Sequence, residues 1–427
     1  MPIEHTITTL DGGVRVITER LPVVRSVALG LWVGAGSCWE GDGEAGLSHL
    51  LEHMLFRGSD RYGSEEIDQI FDAMGAELNA GTGKEQTSIH ARVLDRHLER
   101  AFDVICDMAW RPALAELDAE REVVLEEIAM YEDDPQDRVF DVLGEAVFGS
   151  HPLGRTPLGR RDVVEKAQRD DLQAFHSDRF VPRNVVIAAA GSVDHDQLVA
   201  WAQAACPQGP GEEPPTAAGP PAEHTPEVRF ARKDTEQYHV CLGARGLARD
   251  DERRFALRVL DSLLGGTSSS RLFQEVRERR GLAYSVFSFQ SLHEHTGEVG
   301  LYVGTRPENL VEALRVIGGE LERLASGEIS DAELVRAREN VKGRVVLALE
   351  STSARAERLG SSVLAGLPIL SVDEILERFD AADAEAVGAL ARELYAPARL
   401  SAGAIGPDPD LFARALEPIS SALAVAA

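Results

Sequence analysis

The feature that most constrains this chain is that one arrangement of elements is written in it twice. From Cys206 to Pro226 the sequence runs CPQGPGEEPPTAAGPPAEHTP. It has no apolar periodicity and is rich in Pro, Gly and Glu, so it reads as a linker. On each side of it the same elements follow in the same order. The alternating run Ser26–Gly34 and the run Gln237–Ala244 both read as strands. LSHLLEHMLF from Leu47 is matched by FALRVLDSLL from Phe255, and RHLERAFDVICDMA from Arg96 by ENLVEALRVIGGEL from Glu308. LDAEREVVLEEIAMYE from Leu117 is matched by ISDAELVRARENVKGRVVLALE from Ile329. Apolar residues at i, i+3/i+4 and i+7 make these segments amphipathic helices. The expectation is an α+β protein with one domain at 1–206, a linker at 207–226 and a homologous domain at 227–427.

Charge and cysteine content exclude several classes. The chain carries 71 acidic against 44 basic residues, a formal charge of −27. Duplex nucleic acid would repel it. No apolar run reaches the roughly 18 residues that span a bilayer. MPIEHTITTLDGG lacks the basic and apolar regions of a secretory signal. Cys38, Cys106, Cys206 and Cys241 are scattered and form no CxxC pair, which fits reduced thiols and a cytoplasmic location.

Superposing the repeats locates the chemistry. Aligning LLEHMLF with VLDSLLG sets His49 opposite Arg258, Glu52 opposite Asp261 and His53 opposite Ser262. The apolar positions agree, whereas both histidines occur only in the first copy. His49-Leu-Leu-Glu52-His53 is an HxxEH motif. On a helix, residues four apart lie one turn apart on one face, so the two imidazoles can converge on one ion. Neutral imidazoles suit Zn²⁺, and a carboxylate beside them can take a proton from water. A third ligand has to come from elsewhere. The helix from Leu117, with Asp118 as its expected N-cap, sets Glu120, Val124, Glu127 and Tyr131 on one face. Glu127 can serve as a ligand, and Glu120, two turns earlier, can orient one. An acidic surface helix is the alternative reading.

These segments together resemble the pitrilysin and mitochondrial-processing-peptidase family of inverted zincins. GLSHLLEHMLFRGSDRY, GAELNAGTGKEQT and EREVVLEEIAMYEDDP stand in that family's order and spacing. The similarity spans nearly the whole chain. It implies two homologous domains, each a mixed, mainly antiparallel sheet packed with helices, that face each other in a clamshell. It also implies one zinc per chain, held by His49, His53 and Glu127, with Glu52 as general base and Glu120 in support.

Ser64–Met74 reads as a capped helix ended by Gly75, followed by strands around a Gly-rich turn. In the resembled family an extended peptide adds to an edge strand here, which implies that Asn79 and Ala80 contact substrate backbone. In the second half, Arg277 and Tyr284 match a pair that holds substrate and stabilises the oxyanion. The longest members carry four such domains, so a two-domain chain is expected to form a homodimer around an enclosed chamber. The expected activity is zinc-dependent cleavage of extended or presequence-like peptides, with a catalytically silent partner subunit as the alternative.

Overall fold

The computed structural model describes residues 5–209, 211–215, 217–223 and 225–426; Pro210, Thr216 and His224 of the expected linker lie outside the described residues. The chain forms two compact units. The first comprises Met1–Ala129, Thr156–Ala218 and Val346–Ser371; the second comprises Met130–Arg155, Gly219–Val345 and Val372–Ala427.

The first unit is built on strands β1 (His5–Thr9), β2 (Arg15–Arg20), β3 (Ser26–Val33), β4 (Glu77–Thr82), β5 (Thr87–Leu94) and β6 (Val185–Gly191). Their order is β1-β2-β6-β3-β5-β4, and only the β2–β6 pairing is parallel. The second unit uses β7 (Val228–Arg232), β8 (Tyr238–Gly246), β9 (Ala283–Leu292), β10 (Gly297–Thr305) and β11 (Ser401–Gly406). Their order is β7-β11-β8-β10-β9, again with one parallel pair, β7–β11. Apart from the added β1, strand order and direction repeat. Helices and mixed sheets in both units make the fold α+β, as the sequence led one to expect.

Helices α1 (Leu47–Leu55), α2 (Ser64–Met74), α3 (Leu98–Trp110) and α4 (Leu117–Asp133) follow in the first half. The central strands β3 and β6 are buried on both faces. Alternate residues of β3, Val27, Leu29, Leu31 and Val33, enter a core shared with α1, α2 and α3. The intervening Ala28 and Trp32 pack on the opposite face with Ile17, Val186, Ala188 and Ala190. That face is covered by the helix Thr352–Leu364, through Ala356 and Leu359. The alanines of β6 leave room for it, and Gly360 lies so close to Trp32 that an added Cβ would meet the indole at 2.2 Å. Glu19, buried on β2, pairs with Arg355 of this helix, and Trp32 Nε1–H donates to Glu357 at 3.0 Å.

The second unit mirrors this arrangement. α5 (Pro135–Phe148), capped by the Asp134 carboxylate, lies across β8 and β11. Gly243 and Gly403 allow the approach: a Cβ there would meet Leu143 at 2.9 and 2.7 Å. The compact units therefore differ from the two halves of the sequence. Each sheet has two apolar faces, and the second face of each is closed by a helix from the other half. α2 has the expected bounds and ends at Gly75, with Gly63 at its N-cap and no side-chain bond there. One cap differs from expectation. Asp118 lies within the first turn of α4, where it pairs with Arg121 at 2.7 Å.

Candidate metal centre

Leu47, Leu50, Leu51, Met54 and Leu55 anchor α1 in the core and fix its rotation. The helix start is satisfied from upstream: the buried Glu40 carboxylate accepts from the Gly46 N–H at 3.0 Å and the Ser48 N–H at 2.8 Å. Acceptors and negative charge are favoured at a helix start because its first N–H groups lack intrahelical partners. α4 is oriented by buried Val124, Leu125 and Ile128. It follows two left-handed residues, Leu114 (φ 48°) and Glu116 (φ 57°), a conformation that disfavours side chains with a Cβ. The loops after α1 and before α4 are tied together. The Ala113 N–H donates to Gly58 O and the Asp60 N–H to Arg111 O, each at 3.0 Å. Beneath them the fully buried Asp107 carboxylate accepts from the Ser59 hydroxyl (2.6 Å), the Arg61 N–H (3.0 Å), Arg61 Nε (3.1 Å) and Arg111 Nε (2.7 Å).

This framework brings three donor atoms into a triangle. His49 Nε2 and His53 Nε2 are 3.2 Å apart, and Glu127 Oε2 lies 3.5 and 3.4 Å from them. Among the described residues, these three form the one such group whose ligand atoms all lie within 4.8 Å of one another. Tetrahedral zinc with nitrogen and oxygen ligands at about 2.0–2.1 Å requires donors about 3.3–3.4 Å apart, so the set fits the ion. Burial, reinforced by the neighbouring His53, lowers the His49 pKa to about 4 and leaves a neutral imidazole. Glu120 accepts from His53 Nδ1 at 2.7 Å, which places that proton on Nδ1 and a lone pair on Nε2. Glu126, next to Glu127, is exposed.

Glu52 is half-buried and accepts from the side chain and backbone of Thr82, on β4. Burial raises its pKa and outweighs those bonds and the nearby His53; Glu127 adds to the rise. β4 is an edge strand in this sheet, paired with β5. Asn79 is exposed on it, and its Oδ1 accepts the Ala80 N–H at 2.9 Å. A cavity of about 1000 Å³ borders this stretch, lined by Phe71, Leu78, Asn79 and His90 among others.

Arg277 and Tyr284 belong to the second unit. Arg277 lies near the end of a π-helical segment, Phe273–Glu278, and its guanidinium is 4.4 Å from the centre of the Tyr284 ring. Tyr284 is 79% exposed. The structure therefore brings together His49, His53 and Glu127, and separately Arg277 with Tyr284. Matching α4 to the helix Asp331–Ala348 sets Glu333 opposite Glu120 and Asn340 opposite Glu127. With Ser262, these residues line a cavity of only about 20 Å³. Asp261, opposite Glu52, accepts from the Ser288 hydroxyl at 2.6 Å. The second copy keeps the polar framework without the imidazoles.

Sequence reasoning missed Glu40, Arg57 and Asp107. Each acts through a tertiary contact rather than a spacing. Arg57, four residues after His53, carries no motif of its own.

An HxxEH helix facing a glutamate of a second helix defines a candidate zinc-peptidase centre of the inverted-zincin class. The family described as "Insulinase (Peptidase family M16)" matches residues 15–160, and "Peptidase M16 inactive domain" matches residues 166–341. An uncharacterised zinc protease of Streptomyces coelicolor is 42% identical over 409 residues, covering 94% of this chain and 89% of its own. The Bacillus subtilis zinc protease YmxG, also uncharacterised, is 40% identical over 389 residues, covering 91% and 95%. The fold is shared with a solved protease from Helicobacter pylori, at TM-score 0.89 and 22% identity over 95% of this chain and 100% of that one. The chain belongs to peptidase family M16, the pitrilysin family of zinc peptidases.

Proposed function

We propose that this protein is a zinc-dependent endopeptidase that cleaves extended or presequence-like peptides, with one zinc per chain. The observation that carries the reading is the triangle of His49, His53 and Glu127 donors, 3.2–3.5 Å on a side, next to the half-buried Glu52. Zinc, when bound, supplies Lewis acidity toward water and the scissile carbonyl. Glu52 takes a proton from the attacking water and later gives it to the leaving amine. Its raised proton affinity suits both duties. Glu120 holds His53 in the ligating tautomer. The β4 edge takes the peptide as an added strand, with Asn79 and Ala80 against its backbone.

The same reading includes a cytoplasmic homodimer with an enclosed chamber, in which Arg277 and Tyr284 of one chain donate to the developing oxyanion in the other. The −27 charge favours basic peptides. Mixing Glu52→Gln chains with Arg277→Ala chains tests the dimer: activity above either variant alone is expected, and none would defeat the trans arrangement. Cleavage-site mapping on a peptide pool tests the activity. Cleavage by the native protein, lost in Glu52→Gln, is expected; a silent subunit would cleave nothing.

A further inference from the structure

Resting on the zinc reading above, we propose that Arg57 is a positioning residue for the metal centre, acting on His53 through Glu120. Arg57 lies four residues after His53, just beyond the end of α1. Its Nε and Nη2 both reach Oε2 of Glu120, while Oε1 of the same carboxylate accepts from His53 Nδ1 at 2.7 Å. One carboxylate thus joins the guanidinium to the imidazole, and each oxygen has a separate task.

Burial makes the link consequential. The Glu120 side chain is 5% exposed, and among the described residues Arg57 is the one Lys or Arg paired with it. A buried carboxylate without a compensating cation is unfavourable, and a single N–H donor would leave it free to rotate. The guanidinium fixes the carboxylate plane, which fixes the His53 ring and the direction of its Nε2 lone pair. Gly58, at φ 98°, turns the chain immediately afterwards, and its carbonyl is held by Ala113. Arg57 is therefore held at its backbone as well as at its head group.

The second copy shows why stability has to be measured separately. There Glu333 pairs with Arg271 at 3.1 Å with no imidazole beside it. A cation on this glutamate thus also serves the fold, and only a metal readout isolates its effect on His53.

The test is zinc affinity, measured by competition with a chromophoric chelator, for wild type, Arg57→Ala, Arg57→Lys, Glu120→Ala and the Arg57→Ala/Glu120→Ala double variant. Thermal unfolding of the zinc-free proteins is followed in parallel. Arg57→Ala is expected to weaken zinc about 10-fold or more, the range for loss of a group that orients a ligand, and Arg57→Lys less. The double variant is expected to match Glu120→Ala, because the Arg57 side chain reaches His53 through the Glu120 carboxylate. Unchanged affinity in Arg57→Ala, or losses that multiply in the double variant, would overturn the proposal. If Arg57→Ala does not fold, Arg57→Lys decides: wild-type affinity in it overturns the proposal. Wild type that binds no zinc would instead defeat the zinc reading itself.

Discussion

Replacing Asp107 by alanine tests how the two helices that carry the candidate ligands are held. The carboxylate is fully buried and accepts four hydrogen bonds, from Ser59, Arg111 and twice from Arg61. Removing one partner of a buried charge pair costs about 3–5 kcal/mol. Here the Arg61 and Arg111 side chains are 46% and 37% exposed and regain water, so the low end, about 3 kcal/mol, applies. At about 2–4 °C per kcal/mol for a unit of this size, the melting temperature should fall by about 6–12 °C. Burial pushes the Asp107 pKa up, but the donors from Ser59, Arg111 and Arg61 outweigh it and hold it below the usual value. A depressed carboxylate stabilises above its unfolded pKa of about 3.9 and loses that stabilisation as pH falls through the folded value. Calorimetry across pH should therefore show a constant gap between wild type and variant above about pH 5, narrowing in more acidic buffer. A gap under about 1 kcal/mol, or one that does not narrow, would refute this reasoning.

Two further substitutions probe other parts of the account. Gly360→Ala sets a Cβ 2.2 Å from the Trp32 indole and should destabilise the protein by about 1–3 kcal/mol in urea unfolding. Glu120→Ala should lower zinc affinity about 10–100-fold in a chelator titration, because His53 loses the acceptor for its Nδ1–H.

Much of this was legible in the sequence because periodicity and duplication are local signals. The apolar positions of Leu47–Leu55 give the helix, its buried face and hence the direction of His49 and His53. Glu127 was legible as a candidate because it shares a face with Glu120 and Val124, and the family resemblance singled it out over an acidic surface helix. The exchange of helices was not. The run VVIAAAG of β6 announces a strand buried on both faces, but not that Ala356 and Leu359 from the other half cover one of them. Glu40, Arg57 and Asp107 were hidden because their partners are brought close only by tertiary packing. The cap expected at Asp118 failed because the left-handed Glu116 precedes that helix and its carbonyl accepts the first intrahelical bond.

The central claim is that the first copy holds zinc and uses Glu52 as its base. The most direct measurement pairs metal analysis of purified wild type and Glu52→Gln with their rates of peptide hydrolysis. The account predicts about one zinc per chain in both proteins, with hydrolysis in Glu52→Gln lower by about 10²–10⁴-fold. Near-normal turnover in Glu52→Gln, or wild-type activity that survives without bound zinc, would contradict it.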